Sequence, residues 1–161
     1  MQYSTIENDA PAVAPLKNTM VSVRLVKGAE GIRRKRIQVK SPDDVFDYIK
    51  TYFADKPTEE VVVVMLNTAN VIIASSVVST GGLAASIVEP RAVFQRMILA
   101  NAAAFVMVHN HPSGNLEPSR EDIRITRQMN EAGKIMGMPM HDHLIVAANG
   151  FTSLAERGLM Q

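Results

Sequence analysis

The sequence predicts an α/β fold in which a β-sheet carries helices on both sides. Segments typical of strands and of helices alternate along the chain, and the apolar runs at residues 61–66 and 102–108 have the length of strands. The run at 61–65 is rich in β-branched residues and shows no polar alternation, as expected for a central strand covered on both faces. Interleaved strands and helices favour a sheet packed between helical layers.

The composition is that of one globular domain. The chain has 161 residues, of which 47% are hydrophobic and 20% charged, and its formal net charge is +1. A charge this small argues against binding of nucleic acids or acidic membranes through overall electrostatics. The sequence contains no cysteine, so any metal must be held by His, Asp and Glu. Because no signal peptide or spanning segment is apparent, we expect a cytoplasmic protein without a membrane partner.

The first forty residues are predicted to form two small units. Residues 1–20 are polar and contain Pro11 and Pro15, which indicates a flexible arm. Residues 21–40 are predicted to form a short β-hairpin with strands at 21–26 and 37–39. Its loop carries basic residues that could contact phosphates, although a solvated hairpin tip explains them equally well; they are Arg33, Arg34, Lys35 and Arg36.

The middle of the chain is predicted to contain one helix and then two strands. The segment Ser41-Pro42-Asp43-Asp44 combines a capping serine, a proline suited to the first turn and acids near the positive end of the helix dipole. A helix is therefore expected from there to about residue 54. Strands at 59–66 and 71–79 should follow, joined by a turn at 67–70.

The second half is predicted to alternate in the same way. A helix is expected from Glu89-Pro90 to residue 101, followed by an apolar strand at 103–108 and a polar loop at 111–118. The next helix should begin at Ser119 and run to about residue 133. A strand near 141–148, a turn at Asn149-Gly150 and a short C-terminal helix complete the prediction.

Two histidines and an aspartate form a candidate metal site. His109 and His111 come directly after the apolar strand, and residues two apart in an extended chain project to the same side, while Asn110 faces away. Asp122 falls in the first turn of the next helix, from which a carboxylate can reach back to the strand end. Three protein ligands with one open position are typical of a catalytic zinc site.

Each of these residues also has a simpler explanation. Ser119 and Asp122 have the spacing of a capping box, and a histidine at a strand end is more often hydrogen-bonded than metal-bound. The complete spacing H-x-H-P-x(6)-S-x-x-D, placed at a strand–loop–helix junction, favours the zinc site.

The same residues resemble a known metal motif. His109-Asn110-His111-Pro112-Ser113-Gly114, followed by Pro118-Ser119 and Asp122, is similar to the motif of JAMM/MPN-type metalloproteases in the form found in the RadC family. The resemblance covers about residues 40–161 and includes Glu89-Pro90-Arg91 and Asp142-His143-Leu144-Ile145. It implies a JAB/MPN domain over residues 41–161, with a single mixed β-sheet flanked by helices in the cytidine-deaminase-like architecture.

The resemblance also implies an activity: hydrolysis of a peptide or isopeptide amide by a zinc-activated water, with one zinc ion per chain bound by the three ligands above. A glutamate at the head of an earlier strand would act as general acid and base, and Ser119 would stabilise the oxyanion. Glu59 and Glu60 stand side by side at that position. The family spacing favours Glu59, and only one of the two can face the site.

Asp142 and His143 resemble a pair typical of the RadC family, and we expect them to support the ligands from behind or to line the substrate site. Alternatively, His141 and His143 could bind a second metal, although they lack a nearby carboxylate cluster.

The sequence is also compatible with two functions other than hydrolysis. RadC-type proteins have been described as accessories of DNA repair and recombination, which would make nucleic acid a partner, but the helical region that usually precedes the JAB domain in such proteins has no counterpart in the first forty residues. A non-catalytic MPN scaffold is the other alternative, although such domains usually lack the metal ligands. The sequence predicts no oligomeric state.

Overall fold

The computed structural model describes residues 36–81 and 88–161, and five strands in these ranges form one sheet. The strand order is β2-β1-β3-β4-β5; β3 and β4 are parallel, and the other neighbours are antiparallel. The elements in chain order are α1 (Pro42–Phe53), β1 (Glu60–Leu66), β2 (Ile72–Thr80), α2 (Pro90–Leu99), β3 (Ala104–Asn110), α3 (Arg120–Met136), β4 (Met140–Ala147) and β5 (Gly150–Ser153). The predicted α/β fold, a single mixed sheet flanked by helices, is confirmed.

Helix α1 covers one face of the sheet. Val45, Ile49 and Phe53 recur at helical spacing and are buried against the even-numbered side chains of β1 and β3, which include Val62, Val64, Val106 and Val108. At its start, the backbone N–H groups of Lys40 and Ser41 both donate to the carboxylate of Asp44. This satisfies donors that the first turn would otherwise leave free.

Helices α2 and α3 cover the opposite face. Met97 of α2 and Ile125 and Met129 of α3 pack against the odd-numbered side chains of the two central strands, which include Val61, Val63, Phe105 and Met107. Side chains alternate along a strand, so His109 of β3 lies on the α3 face and its neighbour Asn110 lies on the α1 face.

Two elements are longer than predicted. Strand β3 continues to Asn110, which places His109 inside the sheet rather than after it. Helix α3 continues to Met136 and ends at Gly137, whose φ of 65° is the left-handed conformation of a helix cap. The predicted end at Gly133 was wrong because this glycine serves a close contact: a Cβ there would lie 2.7 Å from the carbonyl oxygen of Met138.

The short C-terminal helix predicted after Asn149-Gly150 was also wrong. Residues 150–153 form β5, which pairs with β4 in antiparallel register, and residues 154–158 form turns. After Leu154 the chain makes a single turn, in which the N–H of Gly158 donates to the carbonyl oxygen of Ala155 and the N–H of Leu159 to that of Leu154.

The N-terminal predictions mostly fall outside the described residues. This applies to the arm at 1–20, the strand at 21–26, Arg33, Arg34 and Lys35. Of the expected hairpin, the structure describes residues 36–40, where Gln38 forms a single antiparallel bridge with Val71. In residues 36–81 and 88–161, no helix is both long and apolar enough to cross a bilayer.

Candidate metal centre

The candidate metal centre lies where the end of β3 meets the first turn of α3. His109 is completely buried on the α3 face, Asp122 is buried in the first turn of that helix, and His111 is partly buried just beyond the strand. The predicted ligands are therefore brought together. In the described part of the chain, His109, His111 and Asp122 are the one group of three or more such side chains close enough to share a metal ion.

The three side chains converge at the spacing of metal ligands. The Nε2 atoms of His109 and His111 are 2.9 Å apart, His109 Nε2 is 3.2 Å from Oδ1 of Asp122, and His111 Nε2 is 3.8 Å from Oδ2 of Asp122. Ligand atoms about 2.0–2.1 Å from a tetrahedral zinc ion are separated by about 3.3 Å. The donor set therefore fits a small divalent cation bound by two imidazoles and one carboxylate.

A buried hydrogen-bond chain determines which nitrogen of His109 faces that position. The Thr126 hydroxyl donates to the carbonyl oxygen of Asp122 at 2.6 Å, so it can only accept from Nδ1–H of His143, also at 2.6 Å. The Nε2 atom of His143 then carries a lone pair and accepts from Nδ1–H of His109 at 2.8 Å. With its proton on Nδ1, neutral His109 presents the lone pair of Nε2 to the cation position.

His111 is oriented in the same sense. Its Nδ1 lies 2.6 Å from the carbonyl oxygen of Asn115, which can only accept, so Nδ1 is the protonated nitrogen. The backbone N–H of His111 donates to the carbonyl oxygen of Val146 in β4, which extends the sheet pairing by one residue. Both imidazoles therefore direct an unprotonated Nε2 at the same point, an arrangement that a positive charge between them stabilises.

Electrostatics support the same interpretation. Burial raises the pKa of the Asp122 carboxyl group, but its contacts with the His109 imidazole and with Ser119 outweigh that effect, so the pKa of Asp122 lies well below its usual range. Complete burial lowers the pKa of His143 well below its usual value, so His143 is neutral. An ionised carboxylate and a neutral supporting histidine are the states that metal binding requires.

Ser119 and Asp122 form the capping box that the simpler explanation predicted. The Ser119 hydroxyl oxygen accepts from the N–H of Asp122 at 3.1 Å, and Oδ2 of Asp122 accepts from the N–H of Ser119 at 2.6 Å. The capping box and the metal ligand are compatible, since this bond holds Oδ2 and leaves Oδ1 directed at His109.

The two candidate glutamates stand at the start of β1, and the contacts of Glu60 define its side of the sheet. The carboxylate of Glu60 accepts from the Tyr52 hydroxyl and from Lys56 Nζ on the α1 side. Glu59 immediately precedes β1 and is two residues before Val61, which pairs with His109 and shares its face. Glu60 therefore faces away from the metal side, and the same alternation, continued one residue before the strand, would turn Glu59 towards it. The carboxylate of Glu59 is not part of the close-packed ligand group.

Asp142 and His143 have separate environments because they alternate along β4. His143 supports His109 directly, as described above. Asp142 faces the other way: its carboxylate accepts from the Ser153 hydroxyl and from the N–H groups of His143 and Ala155. It thus ties the start of the C-terminal turns to β4 and does not touch the ligands.

His141 and His143 do not share a site. A register shift between Phe105 and Val106 places an extra residue of β4 at position 141, and Nε2 of the exposed His141 lies 3.2 Å from Oδ1 of Asn70 in the turn between β1 and β2. Their different partners give no support to a second metal ion.

Two residues at the centre were not identified from the sequence. Thr126 lies one helical turn after Asp122 on the same face of α3, so its i+4 spacing was the available signal. Asn110 was identified only as facing away, although its amide joins the strand end to residues 58 and 60. Among the basic residues proposed as phosphate contacts, the structure describes Arg36, which is exposed.

Comparisons with known proteins identify the relatives of this chain. A model of the RadC-like JAB domain matches residues 39–159. A UPF0758 protein of Salinibacter ruber is 53% identical over 152 residues, which are 92% of this chain and 65% of that protein. A UPF0758 protein of Desulforamulus reducens is 37% identical over 99% of this chain and 73% of its own length. One from Staphylococcus aureus is 45% identical over 76% of this chain. The chain spans 54% to 73% of the length of these curated relatives.

Proposed function

Because this chain belongs to the family of RadC-like JAB domains, we propose that it is a zinc-dependent hydrolase that cleaves peptide or isopeptide amides. The observation that carries the proposal is the convergence of two Nε2 atoms 2.9 Å apart, one of them 3.2 Å from the Asp122 carboxylate. Three such ligands leave one coordination position open, which distinguishes a catalytic zinc site from a structural one.

The ligands would be His109, His111 and Asp122. When bound, a zinc ion supplies Lewis acidity, which lowers the pKa of water and polarises a carbonyl group. His143 keeps the His109 proton on Nδ1, while Ser119 keeps Asp122 turned towards the centre. The ligand geometry is therefore largely set before an ion binds.

Glu59 is the general acid and base of the proposed reaction. From the start of β1, its carboxylate would accept a proton from the attacking water and pass it to the leaving amine. A positioned group of this kind contributes about 10²–10⁴-fold to a rate. Glu60 is unsuited to this role because Tyr52 and Lys56 already bind its carboxylate on the α1 side.

Ser119 would stabilise the oxyanion that forms on the substrate carbonyl. Ser119 caps α3 directly beside the ligand Asp122, and its hydroxyl can donate as well as accept, so it is the candidate donor at the open side of the centre. Loss of one such donor costs an enzyme about 10²–10³-fold in kcat.

The proposal is tested with zinc-loaded protein and a library of fluorogenic peptide and isopeptide amides. We expect cleavage by the wild-type protein and a loss of about 10²–10⁴-fold in kcat for Glu59→Gln, with zinc retained. Glu131→Gln is the matched control, since it makes the same change at an exposed carboxylate of α3 that pairs with Lys134, and it should keep both zinc and kcat. Zinc binding without cleavage of any amide would favour the scaffold instead. Salt-dependent DNA binding that weakens when Arg33–Arg36 are neutralised would favour the nucleic-acid accessory.

A further inference from the structure

Asn110 lies between the two histidine ligands in sequence and reaches across to β1 with its side chain. It is buried, with 3% of its surface exposed. Its Oδ1 accepts from the backbone N–H of Glu60 at 2.8 Å, and its Nδ2 donates to the carbonyl oxygen of Thr58 at 3.0 Å. One amide group therefore holds the peptide on both sides of Glu59.

These two bonds form where the backbone ladder between the strands ends. The antiparallel pairing of β1 with β3 stops at Val61 and His109, and beyond it His111 turns its N–H to Val146 of β4. A side-chain amide offers the same donor and acceptor as a peptide group. Asn110 thus replaces the missing ladder bonds at the point where the strands separate.

Glu59 is also held from its other side. Its carbonyl oxygen accepts from the N–H of Gly81 at the end of β2, at 2.9 Å. The carboxylate of Glu60 is bound by Tyr52 and Lys56, which opposes rotation of the segment about its axis. Together these contacts restrict both the position of Glu59 and the face on which its side chain lies.

We propose that Asn110 is a positioning residue for Glu59: its amide joins the segment bearing the proton-transfer group to the strand bearing the histidine ligands. The inference rests on the proposed function for the role of Glu59, whereas the hydrogen bonds themselves do not depend on it. A displacement of about 1 Å in a reacting group can cost about 10²-fold in rate. The link sets the distance between Glu59 and the ligands without contributing a ligand itself.

The test compares Asn110→Leu, which has a similar size but no polar atoms, with Asn130→Leu. Asn130 makes a comparable bond from its Nδ2 to the carbonyl oxygen of Met160, in another part of the fold.

Three quantities are measured on the full chain: zinc affinity by chelator competition, exchange of the Glu60 amide proton, and amide hydrolysis. We expect Asn110→Leu to bind zinc as the wild type does, to exchange the Glu60 proton roughly tenfold faster, and to lose about 10²-fold in kcat. Asn130→Leu should match the wild type in all three.

A double variant separates positioning from a general structural effect. If Asn110 acts through Glu59, then Asn110→Leu combined with Glu59→Gln is no slower than Glu59→Gln alone, because the group to be positioned is already lost. Additive losses in the double variant, or an unchanged kcat in Asn110→Leu, would overturn the inference.

Two further arms cover other outcomes. If Asn110→Leu fails to fold, Asn110→Asp replaces it. The aspartate carboxylate can still accept from the N–H of Glu60, but it cannot donate to the carbonyl oxygen of Thr58. We again expect kcat to fall while zinc stays bound. If the wild type binds zinc and cleaves no amide, the proposed function fails. Exchange of the Glu60 amide proton then decides by itself whether Asn110 holds the segment that bears Glu59. Faster exchange at Glu60 then supports the link, and unchanged exchange contradicts it.

Discussion

His143 illustrates how one side chain that is not a ligand can determine the properties of a metal site. It accepts from Nδ1–H of His109 and donates to Thr126, and its burial keeps it neutral. Without this acceptor, neutral His109 could place its proton on either nitrogen, and only one of the two tautomers can bind an ion at Nε2.

We therefore predict that His143→Leu weakens zinc binding by about 10–100-fold. Thr126→Val, which removes the hydroxyl but keeps the shape, should weaken it in the same direction and by less. The measurement is chelator competition, and His141→Leu is the matched control, because His141 is exposed on the same strand and contacts Asn70 instead. An unaltered affinity in His143→Leu would contradict the account of the hydrogen-bond chain.

The buried carboxyl group of Asp142 should make the free energy of unfolding depend on pH. Burial raises its pKa, although the bonds from Ser153, Ala155 and His143 partly oppose that rise. A carboxyl group whose pKa is higher in the folded than in the unfolded protein contributes stability at low pH, and this contribution is lost as the pH rises through the folded-state pKa.

In Asp142→Asn this contribution to stability at low pH is absent, whereas the side-chain oxygen that accepts from the N–H groups of His143 and Ala155 is retained. Relative to the wild type, the variant should thus gain free energy of unfolding as the pH rises from acid to neutral. Urea unfolding at a series of pH values measures this difference. A difference that stays constant with pH, or that falls, would refute the prediction.

Among the elements, α3 connects the site to the core. Its first turn carries Asp122, and its buried face carries Ile125 and Met129 against the sheet. Near its other end, Gly133 allows the segment at Met138 and Met140 to approach closely, since an added Cβ would lie 2.7 Å and 3.3 Å from their backbone atoms.

Gly133→Ala should therefore lower the free energy of unfolding by about 1–3 kcal/mol, despite the better helix propensity of alanine. Gln128→Ala, on the exposed face of the same helix, is the control and should change stability by less than about 0.5 kcal/mol. Urea unfolding compares the two. Equal stability of Gly133→Ala and the wild type would show that the backbone can yield at this contact.

Across the whole molecule, the bound ion would join the sheet to a helix, because two ligands come from β3 and its end and one comes from α3. Metal binding to such a site is linked to folding. At a free zinc concentration of 100 times Kd, the folded state should gain about 2.7 kcal/mol. Chemical unfolding with zinc and with a chelator measures the difference, for which Asp122→Ala serves as the control without a gain.

Much of this architecture could be predicted from the sequence. The apolar run at 61–65 predicted a central strand, and the motif from His109 to Asp122 predicted a strand, a loop and a helix start that bring the ligands together. These predictions succeeded because they depend on local patterns, such as alternation, capping residues and strand length.

The remainder depended on contacts in the folded chain that the sequence pattern around each residue does not reveal. Gly133 looked like a helix end because its contact with Met138 is not visible in local sequence, and the pairing of β5 with β4 replaced the predicted C-terminal helix. Likewise, Asn110 binds residues about fifty positions earlier in the chain. No local pattern indicates such a partner.

Whether His109, His111 and Asp122 bind zinc is tested by measuring zinc in freshly purified protein and then titrating the metal-free protein with Zn²⁺. We expect about one equivalent per chain, lost in His109→Ala and in Asp122→Ala and kept in His141→Ala. A wild-type protein that binds no zinc, or His109→Ala and Asp122→Ala variants that bind it as well as the wild type, would contradict the account.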